Sequence, residues 1–145
     1  MIVKEAQKER QSVHYTQLAA EFAVASELCK RGYRVGLTMG TYPVIDLLVV
    51  SPKGVPFLID VKAQYEKRPW PVRLKKARWK LFYVLALIPD VGQNRFFILT
   101  QDAVQREIQR DLQHAIAQRE SRGLSGAPLS IPTVEWDFAK KHEGA

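Results

Sequence analysis

The sequence predicts an α/β domain in which helices flank a central mixed β-sheet. Two segments carry apolar residues at helical spacing, and short apolar runs bounded by turn residues lie between them, as strands do. With 145 residues, of which 46% are hydrophobic, the chain suffices for one compact core and is too short for two ordinary domains. We therefore expect residues 1–145 to form a single domain.

The first helix is predicted over residues 15–31, because apolar residues recur there every three or four positions and Gly32 then supplies a stop signal. The apolar stripe consists of Leu18, Phe22, Ala25, Leu28 and Cys29. Cys29 is the one cysteine of the chain, which excludes an internal disulfide and a cysteine-rich zinc site. Its place on the stripe predicts a buried, inert thiol.

Strands are predicted over residues 34–38, 44–50, 57–64, 81–88 and 95–100. Pro52 and Gly54 stand where a type I turn prefers them, so the second and third strands should form a hairpin. Thr100 is the expected N-cap of a helix over residues 102–120. Trp136 and Phe138 are expected to dock the C-terminal segment onto the domain.

Charged residues interrupt strands that are otherwise apolar. Asp60 and Lys62 are two positions apart and therefore project from the same strand face, while Asp46 lies within the preceding strand. Glu21 is in helical step with Leu18 and Ala25, which puts its carboxyl group on the core-facing stripe. Burying ionised groups costs several kcal/mol each unless they pair or hold a metal ion, so these four residues are expected to converge on a functional site.

Three carboxylates beside a lysine suit a hard divalent cation. Mg²⁺ or Mn²⁺ takes oxygen ligands and keeps several waters, so two or three carboxylates suffice. The cation can stabilise charge on a phosphodiester and lower the pKa of a bound water, while a lysine ammonium orients that water. The residues therefore favour metal-dependent hydrolysis of phosphodiester bonds.

The spacing of Glu21, Asp46 and Asp60-Val61-Lys62, followed by Gln64, resembles the PD-(D/E)XK nuclease superfamily. The resemblance covers residues 16–64 and is closest to small archaeal Holliday-junction-resolvase-like members, although the proline that names the motif is absent before Asp46. It implies a restriction-endonuclease-like fold that cleaves DNA with Mg²⁺ or Mn²⁺ in repair, recombination or mobile-element processing. It also implies that Asp46 and Asp60 bind the metal, Glu21 supports them or is a third ligand, Lys62 assists the water, and Gln64 occupies an often polar position of the site.

A basic surface is the second indication of a polyanionic partner. The net charge is +7 and the sequence pI is about 9.7, which favours nucleic acid. A basic run, expected either to contact DNA phosphates or to be a solvated loop, contains Arg73, Lys75, Lys76 and Arg78. Trp70 and Trp79 flank this run and are expected to belong to the core or to stack on unpaired bases.

No segment reaches the roughly 20 apolar residues that span a bilayer, and the N-terminus lacks the apolar core of a signal peptide. We therefore expect a cytoplasmic protein without a membrane partner. For a substrate of two strands or a four-way junction, a homodimer would place two sites symmetrically.

Other interpretations of the same residues lead to different functions. Asp60 and Lys62 would form an inconsequential surface ion pair on an edge strand, and Glu21 would pair with a basic residue as a half-exposed helix acid. The whole domain would be a nucleic-acid-binding module without catalysis, or a nuclease that cleaves RNA. His14, His114 and His142 have no metal-ligand spacing.

Overall fold

A computed structural model describes residues 13–38, 45–73, 75–126, 128 and 130–144. The elements up to the basic run are α1 (Val13–Lys30), β1 (Arg34–Leu37), β2 (Leu47–Val50), β3 (Pro56–Gln64) and β4 (Trp70–Pro71). Those after it are β5 (Leu81–Leu87), β6 (Arg95–Thr100), α2 (Gln101–Ser121), β7 (Thr133–Val134), α3 (Trp136–Ala139) and a 3₁₀ turn (Lys140–His142).

Five strands of the described part of the chain form one mixed sheet in the order β1-β2-β3-β5-β6. Neighbouring strands are antiparallel except β3 and β5, which are parallel. The predicted α/β class with a central mixed sheet is therefore confirmed. β3 is the middle strand of the five, and β4 and β7 pair separately in a small second sheet.

The two faces of the sheet carry different cores because side chains alternate along each strand. Helix α1 covers the face formed by Leu47, Val49, Ile59, Val61, Val84 and Ala86. Helix α2 and the C-terminal segment cover the other face, where Tyr83 and Leu85 of β5 pack with buried aromatic residues. Asp60 and Lys62 alternate with Ile59 and Val61, so they lie on this second face.

Two tryptophans join the C-terminal segment to the sheet. Trp136 stacks on Trp70 with a centroid distance of 4.8 Å, and its indole N–H donates to the Arg68 carbonyl at 2.8 Å. The Trp70 indole N–H donates to the Ala86 carbonyl on β5 at 3.1 Å. The predicted docking of the C-terminal segment is confirmed, and Trp70 is a core residue and not a base-stacking one.

Local signals in the sequence placed most elements correctly. Gly32 ends the first helix with a φ of +83°, and the amide of Gly54 closes the predicted hairpin turn on the Ser51 carbonyl at 2.9 Å. The Thr100 hydroxyl caps α2 by accepting from the Ala103 amide at 3.1 Å. The predicted strand over 44–50 begins only at Leu47, and its residue 44 lies outside the described residues.

Cys29 is exposed, so the prediction of a buried thiol is wrong. The buried residues of α1 are Thr16, Ala20, Glu21, Val24 and Ala25, whereas Phe22 is exposed. Apolar spacing does not decide which of two adjacent helical faces meets the sheet, and here the buried face carries mainly small side chains. No helix of the described residues is long and apolar enough to cross a membrane.

Trp136→Ala should destabilise the protein by about 3–5 kcal/mol, because it leaves a cavity against Trp70 and removes the hydrogen bond to Arg68. Urea unfolding followed by circular dichroism measures this loss. Trp79→Ala is the matched control and should change the unfolding free energy by less than about 0.5 kcal/mol, because the Trp79 side chain is 62% exposed. Equal unfolding midpoints for the two variants would contradict the docking role of Trp136.

Candidate active site

The site begins where β2 leaves β3. The backbone ladder between these strands ends at the pair Leu47 and Ile59, although the Asp46 amide still donates to the Ile59 carbonyl at 3.0 Å. Thr38, just after β1, holds the Asp46 carbonyl with its backbone amide at 3.1 Å. The backbone of Val61 thus extends beyond its last partner on β2, and buried backbone groups need another partner.

Two side chains take the place of the missing β2 backbone. The Val61 amide donates to Asp46 Oδ2 at 2.7 Å, and the Val61 carbonyl accepts from Gln17 Nε2 of α1 at 2.7 Å. The Asp46 carboxylate is therefore fixed beside β3, where its charge interacts with that of Asp60. Sequence reasoning missed Gln17, because nothing in its local sequence distinguishes it from a surface glutamine.

Glu21 contacts Asp46 from helix α1. It is buried on α1, and its carboxyl group hydrogen-bonds the Asp46 side chain. Burial, together with this bond and the negative charge of Asp46, raises the pKa of Glu21 from 4.5 to about 7. Burial also raises the pKa of Asp46, against the lowering effect of its bonds from Val61 and Glu21. A protonated Glu21 that donates to an ionised Asp46 agrees with the opposite effects of this bond on the two pKa values. The burial of Glu21 contradicts a half-exposed helix acid.

Asp60 is the most deeply buried charge of the site. Its side chain lies on the middle strand of the sheet and the residue is 2% exposed, so an edge-strand surface ion pair is excluded. Lys62 Nζ lies 3.0 Å from Asp60 Oδ1, and Lys75 Nζ contacts Asp60 Oδ2. The two lysine side chains are 30% and 20% exposed, which places this carboxylate between the core and an opening to solvent.

Lys75, which belongs to the basic run expected to contact phosphates, lies against Asp60 in the structure. Its role in phosphate contact stays a prediction. Its ammonium also lies 5.6 Å from the centre of the Tyr83 ring, and Tyr83 is the register partner of Asp60 on β5. The buried side chain of Gln101 fixes the following backbone: it donates to the Lys76 carbonyl at 2.9 Å and accepts from the Arg78 amide at 2.7 Å. This anchor brings a distant lysine to the site.

Gln64 shares the strand face of Asp60 and Lys62, as its spacing predicted. Its amide donates to the Pro69 carbonyl at 2.9 Å and so stabilises the turn that leaves β3. A role for Gln64 in chemistry stays a prediction. Tyr83 is fully buried nearby, and burial followed by the negative charge of Asp60 raises the pKa of its hydroxyl.

The carboxylates of Asp46 and Asp60 are the residues that could hold a divalent cation. Asp60 Oδ1 is buried and has no hydrogen bond of good geometry from the described residues, since Lys62 approaches it only as an ion pair. Within that part of the chain, no group of three or more histidine, cysteine, aspartate or glutamate side chains is placed to hold a metal. Mg²⁺ is commonly bound by one or two carboxylates together with substrate phosphate and waters. Asp46 and Asp60 could be those two carboxylates.

The rest of the basic run is open to solvent. Arg73, Lys76 and Arg78 are exposed, as is Trp79, in the segment that Gln101 anchors beside Asp60. A groove of about 1570 Å³ opens on the opposite, α1-covered face of the sheet, between α1 and the strands β5 and β6. None of the site's carboxylates lines that groove, so the concave apolar surface and the charged cluster are separate features.

No protein-family model, no curated protein and no solved structure matches this chain. A functional assignment therefore has to rest on the geometry and chemistry of the site.

The pKa of Glu21 predicts how stability depends on pH. Between 4.5 and about 7 the folded protein keeps a proton that the unfolded chain has lost, so the unfolding free energy should fall as the pH rises through this window. Glu21→Gln cannot titrate and should be more stable than the wild type above pH 7, by on the order of 3 kcal/mol at about 1.4 kcal/mol per pKa unit. Urea unfolding across the window measures both curves.

Glu27→Gln is the control on the same helix. Hydrogen bonds from Arg31 and Lys30 lower the pKa of Glu27, so this variant should keep the fall in stability between 4.5 and 7 that the wild type shows. A Glu21→Gln variant whose stability falls as steeply as that of the wild type would show that another group titrates.

Proposed function

We propose that this protein is a metal-dependent endonuclease that hydrolyses phosphodiester bonds of DNA, with the restriction-endonuclease-like fold that the sequence resemblance implies. One observation carries the proposal. A buried carboxylate on the middle strand, Asp60, lies next to a second carboxylate, Asp46, and between two lysines at an opening to solvent. Buried ionised groups are costly to keep, and this set matches the needs of phosphodiester hydrolysis.

Asp46 and Asp60 are the proposed ligands of Mg²⁺ or Mn²⁺. Asp60 contributes Oδ1, which no hydrogen bond from the described residues occupies, and Asp46 is already held in place by Val61. Glu21 is proposed to support Asp46 by hydrogen bonding and not to be a third ligand, because its carboxyl group faces Asp46 and keeps a proton up to about pH 7. A bound cation would supply a water of lowered pKa and neutralise charge on the phosphate.

The reaction is hydrolysis without a covalent enzyme intermediate. A water oxygen attacks phosphorus and loses a proton to solvent, while the bond from phosphorus to one sugar oxygen breaks and that oxygen takes a proton from water. Lys62 projects from the same strand face as Asp60, where its ammonium can orient the attacking water and stabilise charge on the phosphate. Asp46 and Asp60 are fixed by β3 and its neighbours, so they can hold the reacting groups close together and correctly oriented.

DNA as the polymer is supported by charge. The net charge of +7 and the exposed cations beside the site favour a phosphate backbone. The resemblance to junction-resolving enzymes makes branched DNA the first substrate to test. A homodimer acting on two strands, and a cytoplasmic location, stay predictions.

A non-catalytic binding module of the same fold is the alternative function. It would share the basic surface and would need no carboxylate pair. The buried position of Asp60 favours the enzyme, because replacing a buried ion network by apolar residues is often neutral or stabilising. An RNA-cleaving nuclease would use the same site on another polymer.

Purified protein should cleave at least one member of a panel of linear, nicked, flapped and four-way DNA when Mg²⁺ or Mn²⁺ is present. Asp60→Asn should lower the cleavage rate by about 10²-fold or more, because it removes a metal-ligand charge and unbalances two lysines. Asp102→Asn is the matched control, since Asp102 lies exposed on α2, where it pairs with Arg106. Circular dichroism checks that both variants fold.

Salt-dependent binding of the panel with no cleavage by the wild type in either metal would contradict the enzyme and favour the binding module. Cleavage of an RNA panel in preference to DNA would correct the substrate. Equal cleavage by Asp60→Asn and Asp102→Asn would remove Asp60 from the site.

The exposed cations of the basic run should contact phosphates independently. Replacing Arg73, Lys76 or Arg78 by Gln should each reduce the slope of log affinity against log salt by about 1 and weaken binding to all DNA sequences alike. Fluorescence anisotropy over a salt series measures these slopes. Lys53→Gln, in the exposed hairpin turn, is the control, and slopes equal to the wild type in all variants would identify the run as a solvated loop.

A further inference from the structure

Lys75 contacts Asp60 but does not belong to the sequence motif formed by Glu21, Asp46, Asp60 and Lys62. It lies 15 residues after Asp60 and reaches it from an irregular segment outside the main sheet. The ion pair is largely buried, since the Lys75 side chain is 20% exposed and that of Asp60 is 3% exposed. A phosphate-contacting surface lysine would not need to be held at a buried carboxylate.

Two ammonium groups on one carboxylate conflict with a divalent cation at the same carboxylate. Lys62 Nζ and Lys75 Nζ contact different oxygens of Asp60, so a cation at Asp60 meets positive charge on both sides. Like charges at contact distance repel strongly where water is partly excluded. One ammonium has to withdraw when the cation binds.

The geometry identifies which lysine moves. Lys62 is on β3 itself, two residues from Asp60, in the middle strand of a paired sheet. Lys75 is on an irregular segment that the Gln101 side chain anchors only after it, at the backbone of Lys76 and Arg78. The long, flexible side chain of Lys75 already lies over the Tyr83 ring. The aromatic face offers the displaced ammonium a resting place within reach of the site.

Charge balance indicates where the displaced ammonium acts. The ammonium groups of Lys62 and Lys75 bring two positive charges to the single carboxylate of Asp60. A divalent cation and a phosphodiester bring +2 and −1, and the attacked phosphate gains one further negative charge in the transition state. Lys75 therefore adds one positive charge where the phosphate gains negative charge, and an attraction that strengthens in the transition state gives differential stabilisation.

We propose that Lys75 is a second catalytic cation of this site, which pairs with Asp60 before a metal ion binds and passes to the scissile phosphate when Asp60 takes the metal. This inference rests on the proposed nuclease function. It separates Lys75 from Arg73, Lys76 and Arg78, whose expected role is to bind the DNA backbone away from the reacting phosphate.

The test compares Lys75→Met, Lys75→Arg and Lys76→Met in the full chain. Calorimetric titration with Mn²⁺, without DNA, should show about tenfold tighter binding by Lys75→Met, because one repelling charge is removed. Lys75→Arg and Lys76→Met should bind Mn²⁺ as the wild type does. In single-turnover cleavage at saturating Mn²⁺, Lys75→Met should lose about 10²–10³-fold in rate, and Lys75→Arg should recover most of that loss.

Lys75→Arg keeps the charge beside Asp60 and so tests the site even if Lys75→Met folds poorly. Unchanged Mn²⁺ affinity in Lys75→Met, with a cleavage rate no lower than that of Lys76→Met, would overturn the inference and leave Lys75 as a structural partner of Asp60. If the wild type cleaves no DNA, the proposed function and the catalytic role of Lys75 both fail. The calorimetry still decides whether Lys75 competes with a cation at Asp60.

Discussion

The parting of β2 from β3 after Leu47 is the constraint on which the site depends. A strand that ends inside a sheet leaves backbone groups of its neighbour without partners, and here these belong to Val61. The Asp46 carboxylate and the Gln17 amide take over both of them at 2.7 Å. A charged side chain is thereby held at the centre of the sheet by a backbone requirement, and Glu21 can reach it from the next turn of the same helix that carries Gln17.

Asp60 lies nearby on the middle strand, where a buried apolar side chain would ordinarily be expected. Two lysines approach its carboxyl group from different directions, one along β3 and one from the segment before β5. Removing water strengthens these interactions and at the same time raises the cost of an unmatched charge. The charged groups of the site therefore come from separate parts of the chain.

Local patterns predicted the elements well where short-range physics decides them. Gly32, the Ser51–Gly54 turn and the Thr100 cap are conformational or hydrogen-bonding preferences of a few adjacent residues, and the structure has each of them. The burial of Glu21 and the shared face of Asp60 and Lys62 followed from helical and strand periodicity. Cys29 shows the limit of this reasoning, since periodicity does not fix which of two adjacent helical faces meets the sheet.

By itself the sequence determined the α/β class, the hairpin that pairs β2 with β3, and a set of acids and a lysine on or beside its central strands. These depend on side-chain alternation and on turn chemistry, which act within a few residues. Only the tertiary structure decided that Gln17 replaces a strand, that Lys75 joins Asp60, and that Gln64 bonds to Pro69. Such contacts form only when whole elements pack together. A glutamine or a lysine in a polar stretch of sequence therefore does not indicate which partner the fold brings to it.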